Sequence, residues 1–432
     1  MNIRKTALAL LRTAEAEQKY IALTLDGFLK TADCDARDRA LLHALVLGVT
    51  ERRVTLDYFI DALADAPEKI GARMRQILRL GLYQLMYLTR IPPHAAVSET
   101  VALGKSPGER AFINGILRGF LRRGKEIPLP ADKFAREAVE TGFPAPIVRL
   151  LYDNLGDKAH SALCALSQQP PTTIAVNTLR LGVPDALDAL RKADIDASMC
   201  DASPRGIRIA QNISYQTLCD LLGEGNFFVQ DEASQIAVCA LAPKSCEVGA
   251  DVCACPGSKS LFSALEMQNS GKLFDFDLHE SKLPLITASA KRLGVGILSV
   301  AAHDARTPLD TLVGKCDFVI CDVPCTGLGV MAKKPEIRFH DPELYKELAP
   351  LGGEILRASA KYLKNGGKLL YSTCTLTKAE NEDNFYGFLA ENPSFAPLDF
   401  AVGEVKSESG CVTLLPDGKR DGFFIGLMQN VR

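Results

Sequence analysis

The chain has 432 residues, 24% of them charged, a formal net charge of −2 and no tryptophan. That length suits roughly three domains of about 150 residues each, and the balanced composition excludes a disordered, collagenous or membrane-spanning chain. Its 13 cysteines are odd in number and scattered, form no C-x-x-C pair and do not cluster with the 6 histidines, which argues against a structural zinc site or a disulfide framework.

Charge is unevenly shared. Residues 1–150 carry 23 Lys and Arg against 17 Asp and Glu, whereas the remainder carries 27 against 35. A basic first third suits an anionic partner such as nucleic acid. The opening Met1-Asn-Ile-Arg-Lys-Thr-Ala-Leu lacks the apolar core and small-residue cleavage site of an export signal. A cytoplasmic, monomeric protein is expected, without a membrane partner or a metal.

Up to about Arg123 the pattern is helical. Five segments show apolar faces: around Ala7–Ala14, Leu41–Val49, Ile77–Met86, Ala95–Leu103 and Glu109–Leu121. Ile91-Pro92-Pro93 stops the third, as proline pairs do. With almost no strand pattern between them, these segments predict an all-α bundle. Arg37, Arg39, Arg52, Arg53, Arg118, Arg122, Arg123 and Lys125 are its candidates for phosphate contacts.

Three blocks in this region, Arg79-Leu-Gly-Leu-Tyr-Gln-Leu-Met86, Ala95-Ala-Val-Ser-Glu-Thr-Val-Ala-Leu-Gly-Lys105 and Phe112-Ile-Asn-Gly-Ile-Leu-Arg118, resemble the signature of NusB-type RNA-binding domains. The resemblance implies RNA binding by residues 1–125. Residues 126–222 read as a linker followed by a small mixed module. Its strands are expected over Pro170–Arg180 and Gly206–Ala210, with a helix over Val183–Ala193. This block resembles the module that precedes the catalytic domain of RNA cytosine methyltransferases, where an arginine usually stands at the position of Ala175.

Residues 223–432 are expected to form the last domain, and from about Ala240 onward strands alternate with helical stretches, which predicts a Rossmann-like, doubly wound α/β sheet. The first strand runs into Asp251-Val-Cys-Ala-Cys-Pro-Gly-Ser-Lys-Ser260, a tight strand-to-helix turn that lets a ligand approach backbone and helix N-terminus. It is neither a dinucleotide fingerprint nor a phosphate loop. The second strand, Leu273-Phe-Asp-Phe-Asp277, ends in an acid placed to accept hydrogen bonds from ribose hydroxyls. The third, Gly296–Ala301, leads into Asp304. Two further strands end in thiols: Phe318-Val-Ile-Cys-Asp322-Val-Pro-Cys325 and Leu369-Leu-Tyr-Ser-Thr-Cys374.

The turn is similar to the CAAPGGK loop of S-adenosyl-L-methionine-dependent enzymes that make 5-methylcytosine in RNA, with Cys255 in place of an alanine and Ser258 in place of a glycine. Asp-Val-Pro-Cys325 and Ser-Thr-Cys374 match that family's two cysteine motifs. Together with the NusB-like start, the chain resembles the ribosomal RNA small-subunit methyltransferase B family. The resemblance implies that Cys253, Ala254, Cys255, Pro256, Gly257, Ser258 and Lys259 form the cofactor loop, with Asp277, Asp304 and Asp322 also facing the cofactor. It further implies Cys374 as nucleophile toward carbon 6 of a cytosine, Cys325 as the thiol that assists release, and Asp322 as the group holding the base. Lys333, Lys334 and Arg338 are candidates for substrate phosphates. A transfer RNA cytosine-5 methyltransferase and a non-catalytic RNA-binding assembly factor are the competing readings.

Overall fold

The structure is a computed structural model that describes residues 2–17, 21–123, 126–211 and 213–432; Lys125 lies outside the described residues. The chain divides into two compact units: Met1–Ser167 with Lys333–His340, and Gln168–Ala332 with Asp341–Arg432.

The first unit is helical. Its helices are α1 (Ile3–Glu17), α2 (Ile21–Thr31), α3 (Ala36–Glu51), α4 (Arg53–Leu63), α5 (Ala72–Tyr87), α6 (Pro93–Val101), α7 (Pro107–Arg123), α8 (Lys133–Thr141), α9 (Ala145–Leu155) and α10 (Ala159–Leu166). Asp35 begins α3 by accepting the Asp38 N–H at 2.7 Å, and Asp132 begins α8 in the same way. Helix α5 is the hub: Ile77, Leu78, Leu80 and Leu82 are fully buried against α1, α3 and α7. It also buries Arg79, whose guanidinium takes both carboxylate oxygens of Asp57 at 2.7 Å.

The segment Lys333–His340 completes this unit. Arg338 is 1% exposed, donates to the carbonyls of Glu51 at 2.8 Å and Leu166 at 2.9 Å, and stacks 4.1 Å over the Phe143 ring. Desolvation lowers its pKa to about 10. Arg338 therefore serves the interior of the fold, and the sequence-based expectation of a phosphate contact there is corrected. Arg52 and Arg53 are similarly engaged. Arg52 donates to the carbonyls of Thr141 and Ser167, and Arg53 pairs with Glu15 and stacks on Phe339. Arg37, Arg39, Arg118, Arg122 and Arg123 remain exposed. Arg338→Ala is expected to cost about 3 kcal/mol, because it uncouples two buried carbonyls and empties a packed site. Denaturant titration of the full chain measures this.

The second unit opens with β1 (Thr172–Val176), α11 (Val183–Lys192), β2 (Ala197–Met199), β3 (Gly206–Ile209), α12 (Tyr215–Leu222) and β4 (Phe227–Val229). The strands form an antiparallel sheet in the order β2-β3-β1-β4, with α11 and α12 on one face. Ala175 is fully buried beside Phe228, Val238 and Leu261 on the other face. Its small side chain suits that packing.

Next come α13 (Glu232–Leu241), β5 (Val248–Asp251), α14 (Ser258–Glu266), β6 (Lys272–Asp277), α15 (Leu283–Leu293), β7 (Leu298–Ala302), β8 (Cys316–Asp322), α16 (Tyr345–Ala360), β9 (Leu363–Thr373) and α17 (Glu382–Glu391). The chain ends in β10 (Phe395–Pro397), β11 (Ala401–Val402), β12 (Val405–Lys406), β13 (Cys411–Leu414) and β14 (Phe423–Asn430). One sheet runs β10-β14-β9-β8-β5-β6-β7, parallel from β9 to β7, with β14 antiparallel to β9 and β13 alongside it. The predicted doubly wound sheet is present. Gly249, an odd residue for a strand interior, has a packing reason: a Cβ there would lie 2.1 Å from the Phe318 ring of β8.

Beneath the sheet's C-terminal edge, Asp251 and Asp275 sit side by side in register, and Ser260 donates to Asp251 at 2.7 Å. Burial raises both pKa values, that of Asp251 to about 7. Between the ordinary carboxylate range and pH 7 the folded chain thus holds protons that the unfolded chain has released. Stability accordingly falls as pH rises through that window. Asp275→Asn removes one of the two buried carboxyls that must ionise as pH rises. The variant is expected to lose less stability than the parent between pH 5 and pH 8, as read by denaturation midpoints at each pH.

Candidate active site

The parallel pair β8 and β9 brings the two cysteine motifs together. Asp322 and Ser372 are register partners at the ends of these strands, and the Val323 N–H donates to the Ser372 carbonyl at 3.1 Å. Both chains then turn out of the sheet. The Gly329 N–H donates to the Cys374 carbonyl at 2.9 Å, which closes the loop after Cys325 against the loop after β9. A side chain at Gly329 would fall 2.0 Å from the Gly422 carbonyl oxygen, so only glycine lets the backbones approach this closely.

The result is a contact of 3.3 Å between Cys325 Sγ and Cys374 Sγ, both half-buried. The hydrogen bond to Cys374 and then burial push the Cys325 thiol well up, so it keeps its proton. The buried Cys316 is likewise raised, to about 12, and the core thiol Cys321 also moves upward, both mainly by desolvation. What separates the Cys325–Cys374 pair from such packing thiols is its position at the strand ends and its partly open surface.

Asp322 lies beside the pair and is fixed from two sides. Ser372 Oγ donates to its Oδ1 and Lys259 Nζ to its Oδ2, each at 2.6 Å. Lys259 itself is 7% exposed and stacks 4.9 Å over the Phe423 ring. This lysine comes from the first turn of α14, so the loop after β5 is joined to the thiol-bearing strands through an ion pair.

That loop, Cys253, Ala254, Cys255, Pro256, Gly257, Ser258 and Lys259, turns tightly, with the Gly257 N–H donating to the Ala254 carbonyl at 2.6 Å. Gly257 has φ +100° and precedes α14, whose first-turn N–H groups have no side-chain cap, the kind of helix N-terminus that can receive an anionic or polar ligand group. A Cβ on Gly257 would meet Ile286 at 3.2 Å. Asp277, at the end of β6, accepts the Cys255 N–H at 3.3 Å and the His279 N–H at 3.0 Å, which aims its carboxylate along the same loop. Asp304, past the end of β7, is held by Arg306 at 2.6 Å, and this pairing depresses its pKa to about 2. The loop 253–259, Asp277, Asp304, Asp322, Cys325 and Cys374 thus lie at or just past the C-terminal ends of β5, β6, β7, β8 and β9, whereas Lys333, Lys334 and Arg338 belong to the helical unit. Backbone donors, a ribose-type acceptor and small loop residues fit S-adenosyl-L-methionine. Among the described residues no group of three or more His, Cys, Asp or Glu side chains could hold a metal.

Comparison with known proteins identifies the family. The family model described as "16S rRNA methyltransferase RsmB/F" matches residues 238–429, the NusB family model matches 1–122, and an RsmF/B-like ferredoxin-like domain matches 143–216. A Bacillus subtilis protein named "Probable ribosomal RNA small subunit methyltransferase B" is 33% identical, over 99% of this chain and 98% of its own length. The chain belongs to the ribosomal RNA small subunit methyltransferase B family. A Vibrio vulnificus methyltransferase B is 31% identical over 96% of this chain and 98% of its own length. Among solved structures, one titled PH0851 superposes with a TM-score of 0.81 at 23% identity, covering 99% of this chain and 98% of that one, a likeness of fold. A methyltransferase homolog protein from Pyrococcus horikoshii gives 0.58 at 25% identity over 70% of this chain and 100% of its own. As in the rest of the methyltransferase B family, S-adenosyl-L-methionine is the methyl donor, and no helix among the described residues is long and apolar enough to cross a membrane.

Sequence reasoning missed the residues that brace the site. In the sequence Ser372 is only one residue of a cysteine motif, and the signal for Glu380 is Cys374-Thr-Leu-Thr-Lys-Ala-Glu380-Asn, an acid among threonines just past a strand end.

Proposed function

We propose that this chain methylates carbon 5 of a cytosine in 16S ribosomal RNA through a covalent bond between Cys374 and carbon 6 of the base. The observation that carries the reading is the Cys325–Cys374 contact of 3.3 Å beside an Asp322 braced by Ser372 and Lys259.

Carbon 5 of cytosine is a poor nucleophile. Addition of the Cys374 thiolate to carbon 6 raises electron density at carbon 5, which is nucleophilic catalysis by an activated thiol. Asp322 hydrogen-bonds the ring and stabilises its protonated state during attack, so that the electrons displaced by the thiolate are taken up by a cationic ring, and Lys259 and Ser372 keep its carboxylate aimed. S-adenosyl-L-methionine, when bound, supplies an electrophilic methyl group. Once carbon 5 carries the methyl, a base from solvent takes the carbon 5 proton, the freed electron pair re-forms the carbon 5–carbon 6 double bond, and Cys374 leaves carbon 6 as a thiolate, with Cys325 assisting release. The loop 253–259 would hold the donor, with Asp277 on the ribose hydroxyls and Asp304 beside the adenine.

The division of labour we infer is threefold: residues 1–125 bind RNA, 126–222 help seat it, and 223–432 catalyse, in a cytoplasmic monomer. Exposed Arg37, Arg39, Arg118, Arg122 and Arg123 support an RNA-facing surface on the helical part. The target base has to be unstacked to reach the thiols, which a loop or bulge allows most easily. The test is mapping of 5-methylcytosine in ribosomal and transfer RNA with and without the gene. Loss of one small-subunit site supports the reading. Loss confined to transfer RNA shifts it to that substrate, and no loss of methylation favours the assembly-factor alternative.

A further inference from the structure

We propose that Glu380 is a positioning residue for the two-thiol site, its carboxylate tying the loop that carries Cys325 to the loop that carries Cys374. The proposal rests on the reading of those two cysteines as the reacting thiols.

Glu380 is 2% exposed and stands just before α17. Its Oε1 accepts the backbone N–H of Thr326 at 2.7 Å. Its Oε2 accepts the Thr326 hydroxyl at 2.7 Å and the Thr377 hydroxyl at 2.6 Å. The Thr326 hydroxyl has one hydrogen and gives it to the carboxylate. Its 2.6 Å contact with Thr375 Oγ1 is therefore donated by Thr375. Thr326 directly follows Cys325, and Thr375 directly follows Cys374. The residue after each thiol thus belongs to one buried chain of hydrogen bonds ending on Glu380. The Tyr371 hydroxyl adds a bond of 2.6 Å to the Glu380 carbonyl, which anchors the residue to β9 as well.

Each of these side-chain bonds is one that a carboxylate accepts. An amide in its place keeps a single acceptor oxygen, so at least one of the three bonds is lost or the threonine hydroxyls must reverse their direction, which changes the chain that runs through Thr326 to Thr375. There is also an electrostatic consequence. After the Cys374 hydrogen bond, burial and the charge on Cys374, the negative charge of Glu380 helps to hold the proton on Cys325. A proton kept on Cys325 is what a hydrogen bond toward Cys374 requires.

The test compares full-length Glu380→Gln and Glu380→Asp with the parent chain and with Cys374→Ser. Methyl transfer to RNA is measured alongside the pH profile of Cys325 alkylation by iodoacetamide, read by peptide mass. Glu380→Gln is expected to lower kcat roughly ten-fold or more with the KM for S-adenosyl-L-methionine little changed. It should also move the Cys325 alkylation midpoint to lower pH, because a nearby anion is gone. Glu380→Asp keeps the charge but not the reach, so it should lose rate while retaining the parental midpoint. Parental rate and parental midpoint in Glu380→Gln would overturn the proposal. So would a loss of rate that comes only with lower thermal stability and weaker cofactor binding, the midpoint unmoved. Methyl transfer by Cys374→Ser would instead overturn the underlying two-thiol reading.

Discussion

Cys374→Ser is expected to bind S-adenosyl-L-methionine as the parent does and to transfer no measurable methyl group, a loss on the order of 10³-fold or more. Serine has the same shape and keeps a hydroxyl where the sulfur was, so the loop held by the Gly329 N–H to the Cys374 carbonyl should survive. What disappears is the sulfur, a far stronger nucleophile than the serine hydroxyl that replaces it. Cofactor affinity, measured by calorimetry, separates this loss from misfolding because the loop 253–259 lies on other strand ends. Substantial turnover by the serine variant would remove Cys374 from the mechanism.

Cys325→Ala should behave differently. The nucleophile and Asp322 remain, so addition to the base and methylation should proceed, while breakdown of the adduct slows. A covalent protein–RNA species is expected to accumulate and to migrate as a retarded band on a denaturing gel. It should be absent from Cys374→Ser and from the double variant. Removing Cys325 also removes the hydrogen-bonding partner of Cys374 at 3.3 Å, so a modest change in the pH dependence of adduct formation should accompany it. No adduct with Cys325→Ala would reassign the release step.

Much of this architecture was legible in the sequence because its signals are local. Phe318-Val-Ile and Leu369-Leu-Tyr are short apolar runs ending in reactive residues, and they became neighbouring parallel strands. The Pro-Gly turn became the start of α14. Other signals were present and passed over: Leu56, Phe59, Ile60 and Leu63 have helical spacing, and they lie on α4. Arg338 shows a different limit. Nothing next to it in sequence distinguishes an arginine for phosphates from one that satisfies the carbonyls of Glu51 and Leu166, residues 287 and 172 positions away. Glu380 was hidden for the same reason, since its partner Thr326 is 54 positions upstream. Strand-end chemistry can be read from neighbours, whereas bracing across long sequence separations emerges only in the fold.

The composition of the helical unit has a bearing on how the chain is born. Its first 167 residues leave the ribosome well before Lys333–His340 has been made. At about 5–20 residues per second, that delay is on the order of ten to thirty seconds. During it, the Phe143 face and the carbonyls of Glu51 and Leu166 lack the guanidinium that covers them in the finished protein. The amino-terminal bundle, whose apolar core is built from residues 3–117 alone, thus receives its last segment only after the cysteine-bearing β8 has been synthesised.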